Sequence, residues 1–305
     1  MRELVVRSPL IAFFVLAFAG SWILWSPMWL TAGGIGVIPV ELPVGALMLV
    51  NQLGLFGGPF ASALVVTRVV GGPGAVRRLL GRLVRFRAPW WCWLVAVLAV
   101  PLCIGAFALA GRSVTVTVPI IVQLAIMAVV YVLGGPLQEE IGWRGFALPR
   151  LQERFHPAAA ALVLGVVHAV WHAPLFLVRD WDTPHGDVWD YVAYLGMTVA
   201  LAVVLAWVTN AAGGSLVPAV LGHNGVNWSL TAAALLTGTA GSVIPAALGL
   251  GVLAVIALVV TRGRLGEPRV AAGGGPSAAG RAPSTASLGG RHEVPTLRVE
   301  ESIRR

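Results

Sequence analysis

The chain has 305 residues, of which 57% are hydrophobic and only 11% are charged, and its mean hydropathy is +0.84. This composition excludes an ordinary soluble domain of that length, which would need more polar residues to cover its surface, whereas lipid accepts apolar side chains. The net charge of +8 does not indicate a nucleic-acid partner, because the basic residues lie in loops and in the tail, where they attract anionic lipid and set orientation. The sequence predicts a multi-pass integral membrane protein in contact with the lipid bilayer.

Apolar runs of about 20 residues, long enough to cross a bilayer, recur along the chain. They predict an all-α bundle of about eight transmembrane helices, near 9–31, 45–70, 90–110, 116–150, 157–178, 189–209, 214–236 and 241–261. Arg2 and Arg7 before the first run are also typical of a signal peptide. The length of the run and the lack of a convincing small-residue cleavage site favour a retained anchor.

The distribution of charge between the runs predicts their orientation. Loop 71–89 contains five arginines and should be cytoplasmic by the positive-inside rule, which places both termini in the cytoplasm of a bacterial-type cell. The segment Arg179 to Asp190, with four aspartates and one arginine, falls on the opposite side. The tail, about 265–305, is rich in Gly, Pro, Ser, Ala and Arg, and we expect it to be disordered.

The stretch LQEEIGWRGF, residues 137–146, places charge inside an apolar run. An ionisable residue in a membrane span costs on the order of 2.5–3.5 kcal/mol by insertion scales, so a function is expected for it. On a helix, Glu140 and Arg144 are spaced i and i+4 and can pair, whereas Glu139 points about 100° away. The alternative is that the helix ends near Pro136 and both glutamates are solvated in a cytoplasmic turn.

Three of the six histidines also lie at helical spacing inside apolar runs. His168 and His172 are spaced i and i+4, as are His223 and Asn227. A lone histidine in such a helix is usually a packing residue, but three elements in three segments are harder to explain by packing. Imidazole and carboxylate bind metal or take a proton from water, and an amide donates to a developing oxyanion. Together these groups supply what hydrolysis of an amide requires.

The cysteines, Cys92 and Cys103, have no CxxC spacing and indicate neither a zinc knuckle nor a disulfide framework.

These residues resemble the motifs of the CPBP intramembrane metalloprotease family, which includes CAAX prenyl endopeptidases and bacterial relatives linked to bacteriocin processing and immunity. The first motif, EExxxR, is met by Glu139, Glu140 and Arg144. The second, an aromatic residue followed four positions later by His, is met at His172, although His168 stands where the family usually has Phe or Trp. The third, HxxxN, is met by His223 and Asn227. The resemblance covers roughly 116–236, with GWRG, WHAP and GSLVPA flanking the motifs.

The resemblance implies an endopeptidase that cleaves a membrane-associated protein or peptide. It assigns Glu139 and His172 to water activation, His223 and Asn227 to the oxyanion, and Arg144 to orienting or neutralising Glu140. An alternative within the family makes Glu139, His172 and His223 zinc ligands with Glu140 as the base. We expect His168 to act as a flat ring that fills the space of the usual aromatic residue.

With the predicted helices, the resemblance also predicts four regions along the chain. Residues 1–115 hold helices 1–3 with basic loop 71–89, residues 116–236 form the catalytic core, residues 237–264 contain the last membrane helix, and residues 265–305 form the basic tail.

Depth in the bilayer constrains the fourth helix. At 1.5 Å per residue, a helix ending at Pro136 would leave Glu139 at the surface and His172 roughly 22 Å deep, so the two could not meet. We therefore expect the fourth helix to continue through Glu139 toward Pro149, and the site to be a water-bearing cavity between helices 4, 5 and 7. Pro174 should break the fifth helix close to the site.

Two other classes of function are compatible with these residues. A transporter or proton-coupled channel would also place Glu, His, Arg and Asn in mid-membrane, and Asn51 and Gln52 are polar enough to line its path, but the sequence has no internal repeat. A non-catalytic immunity or scaffold protein could share the fold.

Overall fold

The structure is a computed structural model that describes residues 2–179, 181, 188–239 and 242–266. The predicted disordered tail, about 265–305, lies outside the described residues except for its first two positions. The predicted acidic loop, Arg179 to Asp190, lies partly outside them.

The described chain is helical, and it contains no strand apart from an isolated bridge between Thr31 and Ile38. Its α-helices, in chain order, are α1 Arg2–Arg7, α2 Pro9–Leu24, α3 Ser26–Leu30, α4 Val44–Leu55, α5 Ala61–Gly81, α6 Trp90–Leu94, α7 Val100–Ala108, α8 Val118–Leu133, α9 Pro136–Glu140, α10 Leu148–Gln152, α11 Pro157–Trp171, α12 Val188–Ala211, α13 Val217–Thr237 and α14 Ile244–Thr261. Three π-helical stretches, Phe56–Phe60, Val95–Ala99 and Ile141–Ala147, join neighbouring helices, and Arg82–Val84 and Ala173–Leu177 are 3-10 turns.

Six of the helical segments in the described part of the chain are long and apolar enough to cross a membrane. They are Val44–Val84, Trp90–Ala108, Val118–Gln152, Pro157–Leu177, Val188–Ala211 and Ile244–Thr261. The shorter apolar helix α2 and the more polar α13 occupy the two remaining predicted spans. The prediction of an all-α membrane bundle is confirmed, and about eight predicted helices agree roughly with the six segments. The protein is an integral, multi-pass membrane protein.

The second predicted span, 45–70, continues further than expected. Helix α5 runs to Gly81, with a kink at Gly72, where φ is +72° and ψ is −174°. A positive φ is accessible to glycine without a steric penalty, and Pro73 then restarts the helix. The first half of the predicted basic loop 71–89 is therefore helical, which corrects the prediction.

The segment Pro136–Gln152, which contains Glu139 and Glu140 and is called the glutamate segment below, does not form one continuous helix with the preceding apolar run. Helix α8 ends at Leu133, and α9 begins at Pro136. Two glycines followed by proline explain the break, since glycine has low helix propensity and the residue before proline avoids the α conformation. After the break, helical structure continues through Glu139 and Glu140 to Gln152. The prediction that a helix extends through the glutamates toward Pro149 is thus confirmed, but as a second segment.

The segment from Pro136 to Gln152 and helix α11 are joined by a short turn over 153–156. Glu139 lies 13 residues before Gln152, and His168 lies 11 residues after Pro157. At 1.5 Å per residue these intervals are about 20 and 17 Å. The glutamates and the histidines therefore lie at similar distances from the turn. Helix α11 ends at Trp171, just before Pro174, so the predicted break is confirmed.

Close packing of α14 depends on a glycine. An ideal Cβ placed on Gly249 would lie 2.7 Å from the backbone C and O of Cys103 and the N of Ile104 on α7. A Cβ placed on Gly251, two residues further along the same helix, would meet nothing within 4 Å.

We predict opposite effects of alanine at these two glycines. Gly249→Ala should lower the melting temperature in detergent, because the backbone of α7 must move away and overpacking typically costs about 1–3 kcal/mol. Gly251→Ala should leave the melting temperature unchanged or raise it, because alanine favours helix by roughly 0.5–1 kcal/mol over glycine. Equal melting temperatures for the two variants would show that α7 and α14 are not packed this closely.

Candidate active site

The polar residues predicted from the motifs lie on three parts of the bundle. They are Glu139, Glu140 and Arg144 on the segment from Pro136 to Gln152, His168 on α11 with His172 directly after it, and His223 and Asn227 on α13. Five of these side chains belong to residues that are at most 6% exposed, whereas His172 and Asn227 are half-buried. His172 and Asn227 are therefore the two of these residues that retain contact with the surroundings of the bundle.

Glu139 and the two histidines near the end of α11 form one group. Glu139 Oε2 lies 2.7 Å from His168 Nε2. His172 Nδ1 lies 3.1 Å from the backbone carbonyl oxygen of His168. Because a carbonyl oxygen only accepts hydrogen bonds, His172 Nδ1 must carry the hydrogen. This leaves the lone pair of His172 Nε2 free to bind a metal or to accept a proton from water.

His168 does more than fill space. Its ring packs as an aromatic residue would, with its centroid 5.1 Å from that of Trp143 and 5.9 Å from that of Trp171. The bond from His168 Nε2 to Glu139, however, is one that Phe or Trp cannot reproduce at that position. The structure thus adds a hydrogen bond to Glu139 to the packing ring expected of His168.

The same group has the donors of a zinc site. One ligand atom from each of Glu139, His168 and His172 lies within 4.8 Å of the others. His168 Nδ1 is buried and has no hydrogen-bond partner among the described residues. A carboxylate and two imidazoles are a donor set that zinc accepts, with a fourth position open for water. This group differs from the set expected from the family resemblance, which had His223 in place of His168.

Glu140 forms a second group, which includes His223. Glu140 Oε1 accepts hydrogen bonds from Arg144 Nη1 at 2.9 Å and from His223 Nδ1 at 2.8 Å. The predicted i, i+4 pair is confirmed, and both of its side chains are fully buried. Glu140 Oε2 and the Nε and Nη2 atoms of Arg144 are buried without a partner in the described part of the chain. The second glutamate thus links the π-helical stretch to α13.

The glutamate segment packs closely against the bend between α4 and α5. A Cβ placed on Gly142 would lie 2.7 Å from Pro59 Cβ and 2.8 Å from Pro59 O. Only glycine allows this approach without displacing the bend. The π-helical geometry of Ile141–Ala147 is itself a feature found frequently at functional sites.

Two buried amides near the site were not predicted from the sequence. Gln138 Nε2 donates to the carbonyl oxygen of Leu133 at 2.6 Å and to Gln52 Oε1 at 3.2 Å. Asn224 Nδ2 donates to the carbonyl oxygen of Ala128 at 3.0 Å, which ties α13 to α8. Each amide lies next to a motif residue in the sequence. Because burying an unpaired polar group is costly, both residues could have been predicted to form hydrogen bonds near the site. Gln52, expected as part of a transport path, here contacts the glutamate segment.

The fold and this arrangement define a multi-pass α-helical membrane protein with a buried carboxylate and histidine site. Residues 121–229 match the family model for the type II CAAX prenyl endopeptidase Rce1-like proteins, and this range contains every predicted motif residue. The chain is also similar to the CAAX prenyl protease 2 of Methanococcus maripaludis, with 25% identity over 92 residues, or 29% of this chain. The match spans about a third of that relative, 34% of its length. The resemblance drawn from the motifs is confirmed.

The roles of the two glutamates can be separated by stability measurements. Removing one member of a buried ion pair leaves an uncompensated charge, which typically costs about 3–5 kcal/mol. We therefore predict that Glu140→Gln and Arg144→Gln each lower the melting temperature in detergent, and that the double variant recovers part of the loss. Glu139→Gln should change it little, because glutamine still accepts a hydrogen bond from His168. A destabilised Glu139→Gln beside a stable Glu140→Gln would exchange the two roles.

Proposed function

We propose that the chain is an intramembrane endopeptidase that hydrolyses a peptide bond of a membrane-associated protein or peptide. The observation that carries the proposal is the pair of adjacent buried carboxylates, each bonded to a histidine from a different helix: Glu139 to His168 and Glu140 to His223. Only 11% of the residues are charged, and a charge buried in a membrane protein is costly. A purely structural role would have to explain why two such groups are retained side by side.

In the proposed reaction, a water molecule lies against Glu139 and Nε2 of His172. Glu139 takes a proton from this water as its oxygen bonds to the scissile carbonyl carbon, and the carbonyl oxygen becomes an oxyanion. When the C–N bond breaks, the same proton goes to the leaving amine. The acyl product keeps the oxygen of the water as its new carboxyl oxygen.

The oxyanion is stabilised by the amide of Asn227 and by Nε2–H of a doubly protonated His223, whose Nδ1–H is donated to Glu140. The two residues lie one turn apart on α13. A single donor to an oxyanion typically contributes about 10²–10³-fold to kcat. Glu140 holds His223 through Nδ1, so that the ring keeps one orientation, and Arg144 offsets the negative charge of Glu140. Asn227 is half-buried, and in this proposal its amide faces the substrate.

A zinc ion is compatible with this site. Glu139, His168 and His172 would hold it, and a zinc ion lowers the pKa of a bound water to about 7. The residues of the chain would still have to orient the substrate, donate to the oxyanion through α13 and return a proton to the leaving amine.

For the substrate class, we propose the C-terminal segment of a lipid-anchored protein. The name of the Methanococcus relative, CAAX prenyl protease 2, favours a prenylated C-terminal peptide as the first probe. A leader peptide and a membrane-anchored regulator would also present an extended segment near the bilayer, and they serve as second probes.

The decisive experiment is cleavage of a farnesylated C-terminal peptide by the purified protein in lipid nanodiscs. We predict that Glu139→Gln, His172→Ala and His223→Ala each lower kcat by at least about 10²-fold, because each removes a group that acts in the transition state. Glu41→Gln and His156→Ala, which change an exposed carboxylate and an exposed histidine, are the matched controls and should retain wild-type kcat.

Each result of this series has a distinct meaning. Near-full activity in one of the three site variants would remove that residue from the mechanism. Absence of cleavage of all three classes of peptide, together with ion or solute flux into liposomes that depends on Glu139, would favour the transporter. Absence of both activities would favour a scaffold.

His168 separates the metal-free mechanism from the zinc mechanism. We predict that His168→Phe, although it restores the family's usual aromatic residue, lowers kcat by about 10–100-fold, the range found when a group that orients a catalytic ligand is lost. Bound zinc, measured by mass spectrometry of active protein, should fall with it if His168 is a ligand and should be unchanged if zinc is held by the other residues, whereas absence of zinc from active wild type would support the metal-free mechanism. His156→Phe is the control. Activity within about threefold of wild type would return His168 to a packing role.

A further inference from the structure

Arg82 lies in the basic segment 71–89, whose positive charge predicts its orientation, yet its side chain points into the bundle. Its Nε donates to the carbonyl oxygen of Gly214 at 2.5 Å, and its Nη1 to that of Gly145 at 2.7 Å. Its Nη2 lies 3.4 Å from the carbonyl oxygen of Arg144. One guanidinium thus contacts the π-helical stretch after the glutamates and the turn just before α13.

Two of the carbonyl groups that Arg82 contacts cannot form the usual α-helical hydrogen bond. In a helix, the carbonyl of Gly145 would accept from the backbone nitrogen four residues later, but that residue is Pro149, which has no N–H group. Gly214 lies in a turn with a φ of +82°, outside α13. Because backbone carbonyl groups that are taken out of water need a hydrogen-bond donor, Arg82 stabilises both by donating to them.

The backbone reinforces this contact. Leu216 N donates to the carbonyl oxygen of Arg82 at 3.0 Å, and Ser215 Oγ donates to the carbonyl oxygen of Arg85. A Cβ placed on Gly214 would lie 3.1 Å from Arg82 Nη2, so the turn needs glycine both for its φ and for the approach of the guanidinium.

We infer that Arg82 is a positioning residue of the proposed active site. It fixes the segment that carries Glu140 and Arg144 relative to the start of α13, which carries His223 and Asn227. The inference rests on the proposed function. Lysine cannot replace arginine here, because one ammonium nitrogen cannot reach three carbonyl groups that the planar fork of arginine spans.

The first test needs no substrate. Hydrogen exchange, followed by mass spectrometry of the full chain in nanodiscs, should be faster in Arg82→Lys than in wild type for peptides covering 145–152 and 214–220. Exchange in α12 and α14 should stay unchanged, which shows that the variant is folded. Arg77→Lys, at an exposed position on helix α5, which ends just before Arg82, is the matched control and should exchange like wild type. Wild-type exchange in both peptides of Arg82→Lys would overturn the inference.

The second test measures the site. We predict that Arg82→Lys lowers kcat by about 100-fold, as misplacement by about 1 Å typically does, while KM stays within about threefold. Free guanidinium should restore part of the kcat of Arg82→Ala, which a general loss of stability would not allow. A folded Arg82→Lys with wild-type kcat would overturn the inference. If wild type cleaves no peptide, the proposed function fails, and the exchange result still decides whether Arg82 holds the two segments together.

Discussion

The cost of placing a carboxylate inside an apolar bundle governs how the core of this protein is assembled. Glu139 and Glu140 are 4% and 0% exposed, so each must find its partners within the protein. Glu139 finds one on α11, and Glu140 finds two, in the π-helical stretch and on α13. Because neighbouring residues of a helix point about 100° apart, the two adjacent side chains reach two different helices. The three parts of the candidate site are therefore brought together by the need to satisfy two neighbouring charges.

The helices around the site are irregular, and each irregularity creates a polar group that side chains then satisfy. The break before Pro136 frees the carbonyl of Leu133, which accepts a hydrogen bond from Gln138. Pro149 leaves the carbonyl of Gly145 without its helical partner, and Arg82 donates to it. In lipid such backbone groups would otherwise remain unpaired. Several polar residues near the site thus maintain its backbone, and this role is distinct from chemistry on a substrate.

Hydropathy and motif spacing were enough to predict the helical bundle, because apolar runs of span length and i, i+4 pairs are local features. They also predicted the pairing of Glu140 with Arg144. They did not reveal the break at Gly134 and Gly135, since the apolar run continues across it and its length alone suggested one helix. Nor did they place His168 beside Glu139, because that contact depends on how α11 packs against a segment 29 residues earlier. Arg82 looked like one of five loop arginines, and only the fold distinguishes it from Arg77.

The asymmetry between the two glutamates follows from their surroundings. The charge of Glu140 is shared with Arg144 and His223, in a fully buried position that suits a structural role. Glu139 has a histidine as its hydrogen-bond partner through Oε2, and no hydrogen bond to Oε1 is found among the described residues. Its group includes the half-buried His172, whose Nε2 has no hydrogen bond among the described residues. One carboxylate is thereby held in place by a cation while its neighbour retains an oxygen for water or metal. In the proposed mechanism, Glu140 therefore has a structural role and Glu139 a catalytic one.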